Sequence, residues 1–179
     1  MKKLEAEKAS LNQVPMKDKV NTVEGQGSVW NNGSYHWEQK SVDKWSDETL
    51  KKVLSLFQYK FEKATLSITE VKDLKGESSV SIRKSKKIVT YEYSCKLLWK
   101  VDMGDDANAK VIGTISGEYF IPEISNDILD DGEEWDIECS IKTGDESLKK
   151  TLYQMVKKFA PEALRKTIIA NFVDELKKK

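Results

Sequence analysis

Four of the five residues from Arg83 to Lys87 are basic: Arg83, Lys84, Lys86 and Lys87, interrupted only by Ser85. They sit inside the stretch Ser81–Ile88, between two runs that alternate like β-strands, so they are expected to project from a hairpin tip or its flank. A sheet carrying fixed guanidinium and ammonium groups at one end is suited to meet something acidic. Three readings stand side by side. The first is a solvated edge, because lysines at strand ends keep a sheet from pairing with other chains. The second is nucleic-acid binding, with the nearby Tyr91 and Tyr93 as stacking groups. Both tyrosines fall on the packed parity of their strand, which weighs against it. The third is an electrostatic clamp on an acidic protein surface, where the arginine fork takes a carboxylate through two bonds and the lysines add diffuse attraction.

The other reactive residue types offer less. His36 is the single histidine, so any Ser–His–Asp or Cys–His arrangement must use it. It lies between Tyr35 and Trp37 with no nucleophile elbow, and catalysis is not expected there. Cys95 and Cys139 have no metal-ligand spacing, and each falls on the apolar parity of a strand, as buried reduced thiols do. Asp127, Asp130, Asp131, Glu133 and Glu134 do not follow the order of a calcium loop and read as a solvated acidic turn. There is no Gly-rich phosphate loop. No enzyme activity, metal or cofactor is expected.

Composition bounds the classes. The chain has 179 residues, 39% hydrophobic and 34% charged, with three prolines and nine glycines. That suits one soluble globular domain. Lys+Arg and Asp+Glu are 30 each, so the formal net charge is zero and any attraction for an acidic partner must come from a local patch. The first residues have no apolar signal-peptide core, and no apolar run approaches the ~20 residues that cross a bilayer. A cytoplasmic protein that does not engage membranes and is monomeric when free is the expectation.

The elements that position the basic stretch follow in chain order. Residues 1–29 are polar and read as a flexible arm; the domain is expected over 30–179. Trp30 to Trp37 is dense in aromatics and amides and is expected to dock on the folded body. Ser46 reads as the N-cap of an amphipathic helix from about Asp47 to Tyr59, with Leu50, Val53, Leu54 and Phe57 on one face. From Ala64 the period becomes two. The pattern predicts a strand to about Asp73 with an irregularity near Val71 and Leu74, a turn at Lys75–Gly76, and a thin strand to Ile82 at a sheet edge. Val89 to Val101 is the clearest strand, apolar on one face and wet on the other. Val111 to Ile121 follows, its glycines Gly113 and Gly117 allowing a bend or close helix packing. Residues 123–134 read as an acidic loop, and Trp135 to Ile141 as the last strand. A long C-terminal helix is capped by Asp145 or Ser147, with Pro161 kinking or restarting it. The fold class is α+β: an antiparallel β-meander packed by an N-terminal helix and a long C-terminal helix.

Three features resemble the N-terminal domain of the activators of the heat shock protein 90 ATPase, a eukaryotic co-chaperone family. His36–Trp37, seven residues, then Trp45–Ser46 resembles the family's His-Trp…Trp start. Arg83–Lys84–Ser85–Lys86, after Gly76–Glu77, resembles its Arg-Lys-Gly-Lys motif. Ile88 to Trp99, with Tyr91 and Tyr93, resembles the strand that follows. The likeness covers roughly residues 31–175. It implies a co-chaperone that binds the middle domain of heat shock protein 90, with the N-terminal domain as a further contact. The basic motif would touch the loop carrying the catalytic arginine and favour the closed, ATPase-competent state. It implies Arg83, Lys84, Lys86 and Lys87 as partner-binding residues. It also implies Asn31, Asn32, Tyr35, His36 and Trp37 as the counterpart of an Asn-rich, Trp-His-Trp segment linked to nucleotide turnover in the chaperone. The chain departs from the family in four places: Ser85 for glycine, Ser81 for a common asparagine, Tyr35 for the first tryptophan, and Gly33–Ser34 displacing the asparagine pair.

Overall fold

The computed structural model describes residues 37–84, 86–105 and 110–179. The arm at 1–29 and the aromatic segment up to His36 lie outside the described residues. The described chain is an α+β domain built on one antiparallel sheet of six strands. β1 is Glu38–Ser41, β2 Gln58–Phe61, β3 Ala64–Arg83, β4 Lys86–Asp105, β5 Lys110–Ser125 and β6 Glu138–Thr143. β3, β4, β5 and β6 form a meander, while β1 and β2 both pair with the outer edge of β3. Helix α1 (Asp43–Ser55) connects β1 to β2, and the short α2 (Asn126–Asp130) follows β5. The chain closes with a helical run: α3 (Glu146–Gln154), a π-helical turn (Met155–Phe159), α4 (Ala160–Ile168), a second π turn (Ile169–Val173) and α5 (Asp174–Leu176).

One face of the sheet is apolar because the strand period demands it. Tyr91, Tyr93, Cys95, Leu97, Trp99 and Val101 alternate along β4 and are all buried, facing the stripe Leu152, Met155, Val156, Ala160, Leu164, Ile168, Phe172 and Val173 of the C-terminal run. Phe172 is the joint. Its ring meets Tyr91 edge-on at 5.7 Å, Tyr93 edge-on at 5.9 Å and the stacked Trp45 of α1 at 6.3 Å. Tyr119 donates its hydroxyl to the Val156 carbonyl at 2.7 Å, satisfying a polar group that would otherwise be stranded in the core. Both cysteines are free, Cys95 buried and Cys139 half-buried. Burial raises the Cys95 thiol to about 12 and the Cys139 thiol to about 11, so neither is a thiolate near neutrality.

Several local expectations shift. The predicted turn at Lys75–Gly76 does not form; Ala64–Arg83 is one bent strand. β4 pairs with it from Lys86 to Met103, and the broken alternation is absorbed as register shifts between Ile68 and Glu70 and between Lys72 and Lys75. Gly76 serves close approach instead of a turn, since a Cβ there would collide with the Glu92 carbonyl and the Tyr93 ring. The segment through Ile82 is not an edge, because β1 covers Ser79–Ile82.

The first helix begins at Asp43, one turn before the predicted Ser46 cap. Ser46 is fully buried and accepts a bond from the Ser78 hydroxyl at 2.7 Å, so it is spent on the sheet. The helix ends at Ser55 because Gln58–Phe61 is recruited to β3. The acidic loop contains α2, capped by the Ser125 hydroxyl. The last strand starts at Glu138; Trp135 precedes it, fully buried, with its indole N–H on the Ser125 carbonyl at 2.9 Å. Trp37 does not dock among the described residues: its side chain is 66% exposed.

Other expectations hold. Asp145 caps the C-terminal run, accepting from the Ser147 and Leu148 amides. Regular α-helix restarts directly after a π turn, with Pro161 as its second residue, where the proline ring would otherwise meet the carbonyl of Lys157. Gly113 admits Leu148 of α3 against the sheet.

Asp43 ties α1 to β3. Its carboxylate accepts the Ser41 hydroxyl at 2.6 Å and the Ser78 amide at 2.6 Å, and these bonds hold its pKa below the ordinary 3.8. A depressed carboxyl contributes stability above its unfolded pKa and loses it as pH falls through the folded value. Asp43→Ala should therefore unfold at lower urea than wild type at neutral pH. The gap should close as pH falls below 3.8. Urea titrations of both proteins across that range check this; a gap that persists under strong acid would contradict it.

Candidate partner-binding site

The site is the β3–β4 hairpin. Arg83 pairs with Lys86, and Lys84 is the described residue of the turn between them. A two-residue hairpin loop matches the strand twist only with a left-handed backbone, and Lys84 adopts φ +49°. Arg83, Lys84 and Lys86 are exposed, and none makes an ion pair with a described residue. Three exposed cations held at one end of a twenty-residue strand pair repel one another, and an anionic partner relieves that repulsion.

Lys87 is placed differently. It pairs with Ile82, half-buried, and its ammonium donates to the Lys177 carbonyl at 2.9 Å. The structure thus brings Arg83, Lys84 and Lys86 together at the tip and turns Lys87 to the end of the last helix. Between hairpin base and helix end runs a groove of about 410 Å³, lined by Lys87, Ile88, Val89, Tyr91, Asn126 and Lys177 among others. Ile88 is 49% exposed on its rim.

Glu38 pairs with Ile82, so Trp37 precedes β1 beside Arg83. Asn31, Asn32, Tyr35 and His36 lie outside the described residues; Trp37 is the described member of that set.

Tyr91 and Tyr93 present no free ring face. They are 2% and 1% exposed and pack on Phe172. Burial raises the Tyr93 hydroxyl to about 12, and burial with the nearby Asp130 and Asp174 charges raises that of Tyr91 further. They are core residues, and the hairpin lacks the stacking groups that the nucleic-acid reading assigned to it. Among the described residues there is no group of three or more His, Cys, Asp or Glu that could hold a metal ion.

Sequence reasoning missed Lys177. The three terminal lysines read only as complements to a helix C-terminus, and nothing local links them to a hairpin 90 residues away.

The conformation of Lys84 separates stability from recognition. A left-handed backbone costs a non-glycine residue about 1–2 kcal/mol, less for asparagine. Lys84→Asn should leave the melting temperature unchanged or slightly raised while weakening binding to an acidic partner. Calorimetry and a binding titration on the same protein check both signs. A fall in stability would contradict the turn assignment.

Residues 39–179 match the family described as activator of Hsp90 ATPase, N-terminal. The chain is 27% identical over 146 residues to the human activator of 90 kDa heat shock protein ATPase homolog 1, covering 82% of this chain and 40% of that protein. It is 32% identical over 132 residues to the mouse homolog 2, covering 73% and 37%. The chain thus spans about two fifths of the length of these relatives. Among solved structures it is similar to Aha-1 from Plasmodium falciparum, with TM-score 0.65 and 26% identity over 78% of this chain and 88% of the other. It is also similar to the human Aha1 N-terminal domain, with TM-score 0.50 and 25% identity over 78% and 99%. The expected α+β architecture and the family resemblance both stand. The chain belongs to the family of the N-terminal domain of activators of the Hsp90 ATPase.

Proposed function

We propose that this domain is a co-chaperone module that binds the middle domain of Hsp90 through the β3–β4 hairpin and stimulates its ATPase. The observation that carries the reading is the tip itself: Arg83, Lys84 and Lys86 are exposed, free of ion pairs with described residues, and held by two twenty-residue strands. The names of the relatives supply the partner.

The mechanism is differential binding. A partner that binds the closed conformer better than the open one shifts the population toward it by the ratio of the two affinities. The arginine fork and the lysine ammonium groups supply charge-assisted bonds to carboxylates or carbonyls of the catalytic loop in that conformer. The domain performs no chemistry of its own, binds no cofactor, and acts as a cytoplasmic monomer in protein folding and the stress response. The Asn31–Asn32 pair with Tyr35, His36 and Trp37 contributes to nucleotide turnover, and the N-terminal domain of the chaperone is the further contact.

The test is ATP turnover of purified Hsp90 with increasing amounts of this protein, at low and moderate salt. The expected result is a saturable rise in turnover that weakens with salt, as screening of exposed charges requires. No rise at any concentration would overturn the function.

A further inference from the structure

The hairpin is not isolated from the rest of the fold. Carbonyls in the last turn of a helix have no partner within it and attract cations. Lys87 supplies one, its ammonium on the Lys177 carbonyl at 2.9 Å. This bond spends Lys87 on the fold and holds the hairpin base against the helix end. The side chains beyond it are exposed lysines. Lys178 is paired with Glu175 at 2.5 Å. Lys177 has no ion pair with a described residue, and Lys179 lies over the Trp45 ring, 4.6 Å from its centroid, which leaves its charge unneutralised. The carboxylates near this end include Glu38 opposite Ile82, Asp130 in the groove, Asp174, and Asp47 beside Tyr93. Arg83, Lys84, Lys86, Lys177 and Lys179 outnumber them. In a chain whose formal net charge is zero, this end is a local concentration of positive charge.

We propose that the end of the last helix is the second half of the partner-contact surface, with Lys177 and Lys179 engaging acidic groups on the same protein that the hairpin binds. This rests on the proposed function above. Two cationic groups, clipped together by Lys87 and separated by a groove of about 410 Å³, suit one folded acidic protein face that spans both. Lys87 is accordingly a positioning residue.

The experiment is a binding titration of the Hsp90 middle domain with wild type, Arg83→Ala/Lys84→Ala and Lys177→Gln/Lys179→Gln, each at low and high ionic strength. The helix-end substitutions spare the Lys177 carbonyl that Lys87 caps, so the clip is kept. The helix-end variant should bind about fivefold more weakly at low salt, with the difference shrinking as salt rises and the melting temperature unchanged. If it binds like wild type while the hairpin variant is weakened, the helix end lies outside the interface and the proposal falls, with the proposed function intact. If wild type itself does not bind, both readings fall.

Discussion

Arg83→Ala/Lys84→Ala should reduce stimulation of the chaperone ATPase by about tenfold or more at fixed concentration, while the protein stays folded. In the free domain those side chains do almost nothing. Both are exposed, and neither bonds to a described residue in an ion pair. Their removal therefore takes little from the fold; exposed substitutions of this kind stay within about 0.5 kcal/mol. In the complex each would make charge-assisted bonds, worth about 1.5–3 kcal/mol apiece. Losing one such bond is about a tenfold loss in affinity. Two measurements decide it: ATP turnover as a function of the variant's concentration, and its melting curve. Full stimulation with an unchanged melting curve would remove the hairpin from the mechanism. Loss of stimulation with a lowered melting curve would point to a folding defect instead.

Phe172→Ala should destabilise the domain by about 3–5 kcal/mol, the range for truncating a large buried aromatic. Phe172 is fully buried and touches three elements at once: Trp45 of α1, and Tyr91 and Tyr93 of β4. The cavity would open where the C-terminal run crosses the strand that carries the hairpin, and collapse is restrained because all three neighbours are rings. For a domain of this size the loss corresponds to a fall in melting temperature of roughly 6–20 °C. Urea unfolding of wild type and variant gives the free-energy difference directly. A loss under about 1 kcal/mol would mean the rings do not meet as described. The variant should also stimulate poorly above its own transition and normally well below it, which distinguishes a joint from a contact residue.

The hairpin was legible because its signals are local. Alternation on both sides, four basic residues in five, and a family-like order of motifs together put the basic run of Ser81–Ile88 at a hairpin tip or its flank, and Lys84 turns there. The β4 face was legible for the same reason: a period of two with one wet side has one packing solution. The helix start was not. Ser46 has the chemistry of a cap, yet its hydroxyl is claimed by Ser78, 32 residues away, and no local pattern encodes that bond. The supposed turn at Lys75–Gly76 failed likewise. Glycine after lysine looks the same whether it turns the chain or lets Tyr93 approach, and only the pairing partner distinguishes the two. Trp37 shows the opposite error. Its type suggested burial, but it leads into a strand at the hairpin end and stays exposed.

The sequence by itself determined the α+β class, the parity of the core and the identity of the exposed basic tip. These rest on periodicity and charge, which are properties of neighbouring residues. The tertiary structure decided how those residues divide their work. Lys87 looks equivalent to Lys84 and Lys86 in the basic run, yet it caps the last helix while they face solvent. Its role depends on a carbonyl delivered from Lys177, and a bond across 90 residues exists only once the helix has been laid across the sheet.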